Sequence, residues 1–143
     1  MNAIVVFDSL YGNTQKVAET IASTLHGKAV TTDKIDISKL SNFDVLIVGS
    51  PVHGGRPSPK MQAWLKSIPK DSLKGVKVAA FDTRMEIWIA KLFGYAAPKI
   101  EQILLDRGGQ KAGDNIGFIV TEKQGPLKLG ELTRAKSWAE KIN

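Results

Sequence analysis

An apolar run, a polar turn and an amphipathic helix follow one another at the start of the chain, and this succession constrains the fold more than any other feature. Residues 3–7 form a short β-branched and aromatic run, which is typical of a buried strand. Val17, Ile21 and Leu25 recur at four-residue spacing, which predicts one face of a helix. The turn between them, residues 9–14, therefore directs the first N–H groups of a helix outward at the carboxyl end of a strand, where they attract an anion.

The residue types of this turn suit a phosphate group. Ser9 and Thr14 carry hydroxyl groups, Asn13 carries an amide, and Gly12 permits close approach of the backbone. The turn contains no Lys or Arg, so a dianion would be held by charge-assisted hydrogen bonds from neutral donors. An ordinary capped loop explains the same residue types equally well when the turn is taken alone.

Strand and helix patterns continue to alternate along the chain. Further strands are predicted at residues 28–37, 44–49, 75–81 and 115–120, and helices at 57–68, 86–93, 99–107 and 129–141. Pro98 is expected to separate the third and fourth helices of the chain, because it cannot donate to a continuing helix. Five strands alternating with helices predict an α/β fold with a doubly wound parallel sheet and helices on both faces.

Composition narrows the possible functions. The 143 residues suit one domain, 1–143, and the absence of cysteine excludes disulfides and thiolate metal sites, so redox chemistry would need an organic cofactor. We expect no metal site.

No apolar run approaches a membrane span and no signal-like segment precedes the first strand, which predicts a cytoplasmic protein without membrane insertion. The net charge is +6, but the lysines are scattered singly, which favours a solvated surface over nucleic-acid binding.

The turn Ser9-Leu10-Tyr11-Gly12-Asn13-Thr14 resembles the phosphate-binding loop of the flavodoxin family, Ser/Thr-x-Thr-Gly-Asn-Thr, with Tyr11 replacing the middle Thr. In order and length the whole chain is similar to short-chain members of that family. The resemblance implies a flavodoxin-like sheet with strand order 2-1-3-4-5 and a ligand crevice at the carboxyl ends of strands one and three. It also implies noncovalently bound FMN, with the phosphate on the turn.

Two further loops match the family by position. The resemblance implies that Ser50-Pro51-Val52-His53-Gly54-Gly55 covers one face of the flavin ring, with Val52 or His53 against it, and that a Gly54-Gly55 carbonyl accepts a hydrogen bond from reduced flavin. A rigid crossover loop is the alternative. Asp82-Thr83-Arg84-Met85 would bind the pyrimidine edge, and Met85 or Trp88 would stack on the other face, although Trp88 also suits a helix core. Tyr95 is a weaker candidate, and the segment after the fifth strand receives no catalytic role.

The function that the resemblance implies is electron transfer by an FMN-binding flavoprotein without catalytic residues of its own. His53, Arg56 and Arg84 would place positive charge near the ring, which predicts a less negative potential than in acidic relatives and a redox partner with an acidic surface. We expect a monomer or weak dimer. An NAD(P)H-dependent quinone or flavin reductase, with Arg56 or Arg84 on a nicotinamide phosphate, and an interaction module without redox activity are the alternatives. A receiver-type domain is disfavoured, because strand one ends in the single acidic residue Asp8.

Overall fold

The computed structural model describes residues 1–86 and 90–142, with only the backbone at residues 90 and 91. The strands are β1 Ala3–Phe7, β2 Lys28–Thr31, β3 Val45–His53, β4 Arg56–Pro57, β5 Lys77–Met85, β6 Gln110–Lys111 and β7 Ile116–Val120. The helices are α1 Asn13–Thr24, α2 Pro59–Lys66, α3 Ala90–Phe93, α4 Ala96–Asp106 and α5 Glu131–Glu140. Two segments, Thr32–Lys34 and Ile37–Asn42, are 3-10 helical.

The sheet has the predicted order. β2, β1, β3 and β5 are parallel neighbours, and β6 and β7 pair in succession with the far edge of β5. With β5 as the fourth principal strand and β7 as the fifth, the order 2-1-3-4-5 is confirmed. Two short strands were not predicted: β6 extends the β7 edge, and β4 pairs antiparallel with the end of β3.

Side chains that alternate along the strands fill a hydrophobic core on each face of the sheet. On one face Val5 and Ile47 pack with α1 and α5, and Phe81, Phe118 and Trp138 form edge-to-face pairs with ring centroids 6.0 to 6.4 Å apart. On the other face the core includes residues of β1, β3, α2 and α4. Each fully buried large aliphatic or aromatic side chain contributes about 1.5–3 kcal/mol relative to exposure, so these two layers account for most of the driving force.

Several element boundaries differ from the predictions for identifiable reasons. β2 ends at Thr31, whose hydroxyl donates to Asp33 Oδ1 at 2.6 Å and closes a turn where the strand was expected to continue. β3 extends to His53, because the hairpin with β4 supplies it with further partners. Pro98 lies inside the first turn of α4 and not before it; proline is tolerated there, since the first N–H groups of a helix have no intrahelical acceptor.

The parallel arrangement brings four connecting segments to one edge of the sheet. These segments follow β1, β3, β5 and β7, and all leave from carboxyl ends of strands. In open parallel sheets this edge is where ligands bind. Among the described residues no helix is long and apolar enough to cross a membrane.

Candidate cofactor-binding cleft

A cleft of about 520 Å³ opens at the carboxyl edge of the sheet, between the segments that follow the four strands. Most of its lining is apolar or aromatic, with a few polar groups. The lining residues are Leu10, Tyr11, Asn13, Thr14, Pro51, Val52, His53, Gly54, Gly55, Thr83, Arg84, Met85, Phe93, Gly94, Tyr95, Val120 and Lys123. An apolar cleft with a few convergent polar groups is the usual form of a small-molecule site.

The turn of residues 9–14 is organised around the Ser9 hydroxyl. Ser9 Oγ accepts from the backbone N–H of Gly12 at 3.1 Å and from that of Gln15 at 3.3 Å. Gly12, with φ at 93°, takes the left-handed conformation that glycine adopts easily, and α1 begins directly after it. Within the described chain no protein group accepts from the N–H of Tyr11, Asn13 or Thr14. These N–H groups, at the positive end of the α1 dipole, are available to an anion.

Thr14 and Asn13 tie this turn to its neighbours. The Thr14 hydroxyl shares a buried 2.8 Å hydrogen bond with the hydroxyl of Thr83 on β5. When Thr83 donates, the Thr14 proton remains free for a ligand. Asn13 Nδ2 donates to the carbonyl of Gln124 at 3.2 Å, which holds the segment after β7 over the turn.

The segment after β3 is a tight hairpin. His53 pairs with Arg56, and the two residues between them, Gly54 and Gly55, have φ of 56° and 79°. Positive φ at both central positions is typical of a type I′ turn, which explains the need for two glycines. A Cβ atom at Gly55 would collide with the backbone of Phe93, whereas Gly54 faces open space.

Lys99 in the first turn of α4 holds this hairpin against the end of α3. Its Nζ donates to the carbonyl of Gly55 and, at 3.1 Å, to that of Phe93. One ammonium group thus joins both segments that form this wall of the cleft.

Asp82 and Arg84 form a buried ion pair beneath the same wall. The Arg84 Nε and Nη2 atoms donate to the two carboxylate oxygens at 2.7 and 2.9 Å, and the N–H of Ala97 at the start of α4 donates to Oδ2 at 2.8 Å. Burial raises the pKa of Asp82, and Arg84 and the Ala97 N–H oppose that effect only in part. The Arg84 guanidinium lies 3.6 Å from the ring centroid of Tyr95. Its charge is therefore balanced by Asp82, so Arg84 adds less positive charge near the ring than the sequence led us to expect; the effect on the redox potential stays a prediction.

The structure brings most of the predicted site residues together, but four of them do not line the cleft. Ser9 and Gly12 belong to the turn itself, where the Ser9 hydroxyl accepts from the N–H of Gly12, and Asp82 is fully buried and paired with Arg84. Ser50 is fully buried as well, because its hydroxyl accepts from the N–H of Ser58 at 2.9 Å and donates to the carbonyl of Pro51 at 2.8 Å. Trp88 lies outside the described residues, so its assignment stays a prediction.

Five lining residues had no place among the predicted site residues: Phe93, Gly94, Tyr95, Val120 and Lys123. Tyr95 was only a weaker candidate because it lies seven residues beyond Trp88, but the chain turns back after α3 and returns it to the cleft. Lys123 follows β7 at the same sheet edge as the other loops. The rule that ligands bind at the carboxyl ends of parallel strands would have been enough to indicate it. Arg56, by contrast, is exposed on the outer side of the hairpin and does not line the cleft.

The fold and the cleft together define a class of protein: a doubly wound α/β protein with an anion-binding turn and an apolar cleft at its switch point. A family model described as a flavodoxin domain matches residues 4–102. The chain belongs to the flavodoxin domain family, as the sequence resemblance predicted.

The comparisons with individual proteins agree with this assignment. The oxidised flavodoxin 1 of Bacillus cereus superposes with a TM-score of 0.82 at 17% identity, over 99% of this chain and 96% of that chain. A flavodoxin from the domain Archaea gives a TM-score of 0.76 at 21% identity, over 97% of this chain and 94% of that one. These likenesses show the fold.

The curated relatives match this chain over only part of their own length. A self-sufficient cytochrome P450 monooxygenase of Exserohilum turcicum is 33% identical over an alignment of 116 positions, which covers 75% of this chain and 11% of that protein. The chain spans half or less of the length of the curated relatives that it matches.

Proposed function

We propose that this protein binds FMN in the cleft and transfers electrons between redox partner proteins. The observation that carries the proposal is the meeting, at one sheet edge, of a turn with free N–H groups and an apolar cleft of about 520 Å³. That combination suits a molecule with a phosphate at one end and a flat aromatic ring at the other. Bound FMN would supply the capacity to accept and release electrons, and the protein would supply binding and electrostatics.

The phosphate end fits the donor set of the turn. The free N–H groups of Tyr11, Asn13 and Thr14 and the Thr14 hydroxyl are neutral donors, and each bond to a phosphate oxygen would be charge-assisted. The Ser9 hydroxyl accepts two backbone bonds and still has its own proton to donate. Lys123 at the cleft edge adds a positive charge that the turn itself lacks.

The ring end fits the apolar part of the lining. Val52, His53 and the Gly54–Gly55 turn form one wall, and Phe93 and Tyr95 lie beside it. Aromatic and aliphatic side chains favour a flat heteroaromatic ring by apolar burial and stacking. Electron transfer needs no general base, and the Asp82 carboxylate is held away from the cleft by Arg84.

The rim of the cleft suits a protein partner. Leu10, Leu92 and Phe93 are more than half exposed and lie at or next to the opening, which is unusual for large apolar side chains on a solvated surface. Lys123 is exposed at the edge of the cleft, and Arg56 is exposed on the outer side of the hairpin. An apolar rim with basic neighbours would complement a partner with an acidic docking surface.

The test is the visible absorption spectrum of the purified protein, followed by identification of the pigment released on denaturation. We expect flavin absorption and FMN, and apoprotein that rebinds FMN. A Ser9→Ala/Thr14→Val variant should lose affinity at least tenfold, or about 1.4 kcal/mol. Thr20→Val is the matched control, because Thr20 lies on the exposed side of α1 and donates only to the Lys16 carbonyl.

Two results would contradict the proposal. One is wild-type protein that does not take up FMN, which would favour an interaction module. The other is unchanged FMN affinity in the Ser9→Ala/Thr14→Val variant.

An NAD(P)H-dependent reductase is a second candidate, favoured by the basic pocket beside the hairpin that contains Arg56. Steady-state oxidation of NADPH by the FMN-loaded protein with a quinone acceptor distinguishes the two. Rapid turnover supports the reductase, and its absence supports the carrier.

A further inference from the structure

A smaller pocket, of about 190 Å³, lies on the outer side of the β3–β4 hairpin. Residues of β4, α2 and α4 form it: Arg56, Pro57, Gln62, Lys66, Lys99 and Ile103. Half of this lining is cationic and none of it is acidic. The pocket is separate from the cleft, and only the hairpin and Lys99 stand between the two.

The three cations have no carboxylate partner in the described part of the chain. The ion pairs there use the side chains of Asp82, Glu101, Asp114 and Glu131, and none of these pairs includes Arg56, Lys66 or Lys99. Like charges gathered around a concave surface repel one another and concentrate anions from solution. An anion in the pocket would relieve that repulsion.

Lys99 contributes a further donor to the pocket. A lysine ammonium carries three N–H donors, and two are used by the carbonyls of Gly55 and Phe93, which leaves one. Lys99 also lies in the first turn of α4, where the helix dipole disfavours a positive charge. A negative group beside it would offset that unfavourable position.

The size of the pocket limits what can enter it. The volume suits one tetrahedral anion with a small attached group, and it is too small for a flavin, which the larger cleft suits. Gln62 Nε2 donates to the carbonyl of Pro57 at 2.7 Å, so this side of the pocket is already ordered. Arginine and lysine are the side chains that bind phosphate groups most often.

We propose that this pocket is a binding site for inorganic phosphate or a phosphomonoester, held by Arg56, Lys66 and the third donor of Lys99. The same Lys99 ammonium group donates to the carbonyls of Gly55 and Phe93. It would therefore connect the bound anion to the wall of the cleft. The site lies outside the cleft and goes beyond the proposed electron transfer.

The proposal is tested by titrating the protein with sodium phosphate while backbone amide NMR signals are followed, with sodium chloride of equal ionic strength as the reference titration. We expect saturable shifts at Gln62, Lys66, Lys99 and Ile103 that chloride does not produce. An Arg56→Gln/Lys66→Gln variant should bind at least tenfold more weakly. Lys136→Gln, a lysine on α5 across the sheet, is the control and should bind as the wild type does.

Parallel titrations with NADP⁺ and NAD⁺ identify the source of the anion. Tighter binding of NADP⁺ than of phosphate or NAD⁺ assigns the site to the extra phosphate of a dinucleotide, and equal weak binding of both dinucleotides assigns it to free phosphate. The absence of saturable shifts at the pocket, shifts equal to those with chloride, or equal affinity in the double variant would each overturn the proposal. The signals of residues 9–14 report on the other phosphate site separately, so failure here leaves the FMN proposal intact.

Discussion

The two walls of the cleft are held in place by different kinds of contact. On the wall at the start of α1, Ser9 reaches Gly12 and Gln15, residues three and six positions away. On the opposite wall, Lys99 reaches Gly55 across 44 positions and Asp82 reaches Ala97 across 15. The shape of the first wall is therefore set by contacts within residues 9–15, and two longer bonds, from Thr14 to Thr83 and from Asn13 to Gln124, join it to its neighbours. The second wall exists only when distant segments have already packed.

This difference between the walls predicts which substitutions destabilise the protein most. Loss of a contact on the local wall should weaken a turn that the helix still supports. Loss of a contact on the opposite wall should release several segments together, since the hairpin, α3 and α4 share the same few side chains.

The largest effect is expected for Arg84→Gln. Removing one partner of a buried ion pair typically costs about 3–5 kcal/mol, because the other charge is left buried without compensation. Asp82 would then keep only backbone N–H groups at the start of α4, chiefly that of Ala97. Urea unfolding near neutral pH measures the loss, and an Asp82→Asn/Arg84→Gln variant should recover part of it. Equal stability of Arg84→Gln and the wild type would show that the pair does not support this wall.

The same variant should depend on pH in a definite direction. Burial raises the pKa of Asp82 in the native chain, and loss of Arg84 would raise it further. A folded-state pKa above the unfolded value means that the folded protein binds the proton more tightly, so stability increases as pH falls towards the unfolded value of about 3.9. The deficit of Arg84→Gln relative to the wild type should therefore shrink as the pH is lowered from neutral. A deficit that grows on acidification would contradict this account of Asp82.

The glycine turn of the hairpin gives the second test. Gly54→Ala and Gly55→Ala both force an L-residue into positive φ, which costs about 1–2 kcal/mol in each case. Only Gly55→Ala also drives a Cβ atom into the backbone of Phe93, while Gly54 has open space. Gly55→Ala should thus be the more destabilising variant in urea unfolding, and Gly54→Ala is its matched control. Equal losses of stability in the two variants would mean that the hairpin and Phe93 move apart at no cost and that the collision does not occur.

The Lys99→Met variant tests the contribution of the hydrogen bonds from Lys99 to the carbonyls of Gly55 and Phe93. Hydrogen bonds to a charged group are worth about 1.5–3 kcal/mol, and we expect the lower end because the side chain is exposed to solvent. Lys66→Met removes the same charge from the same pocket without touching the hairpin and should change stability little. Amide hydrogen exchange should become faster at the β3–β4 hairpin in Lys99→Met alone. Faster exchange in both variants would assign the effect to charge.

The difference between the walls also explains which features of the fold and of the cleft could be predicted from the sequence. Strand order, the two helix layers and the turn at residues 9–14 follow from periodicity and local turn chemistry, and these predictions agree with the structure. Residues 93–95 and the clamp by Lys99 depend on where α3 returns the chain, which no local pattern specifies. The position of Ser50 was unpredictable for the same reason: it is buried and does not line the cleft, because its hydroxyl accepts from the N–H of Ser58, eight residues later.

The smallest effect is expected for Ser9→Ala on the local wall. Removing a hydroxyl that accepts from the first N–H groups of a helix typically costs about 1 kcal/mol. Gly12, with its left-handed backbone, and the Thr14–Thr83 hydrogen bond would remain, so the turn should keep its shape. Thermal unfolding should show a modest decrease, with Ser23→Ala, near the other end of α1, as control. A loss as large as that of Arg84→Gln would mean that the local wall is no less cooperative than the long-range one, and that the difference in contact range has no energetic consequence.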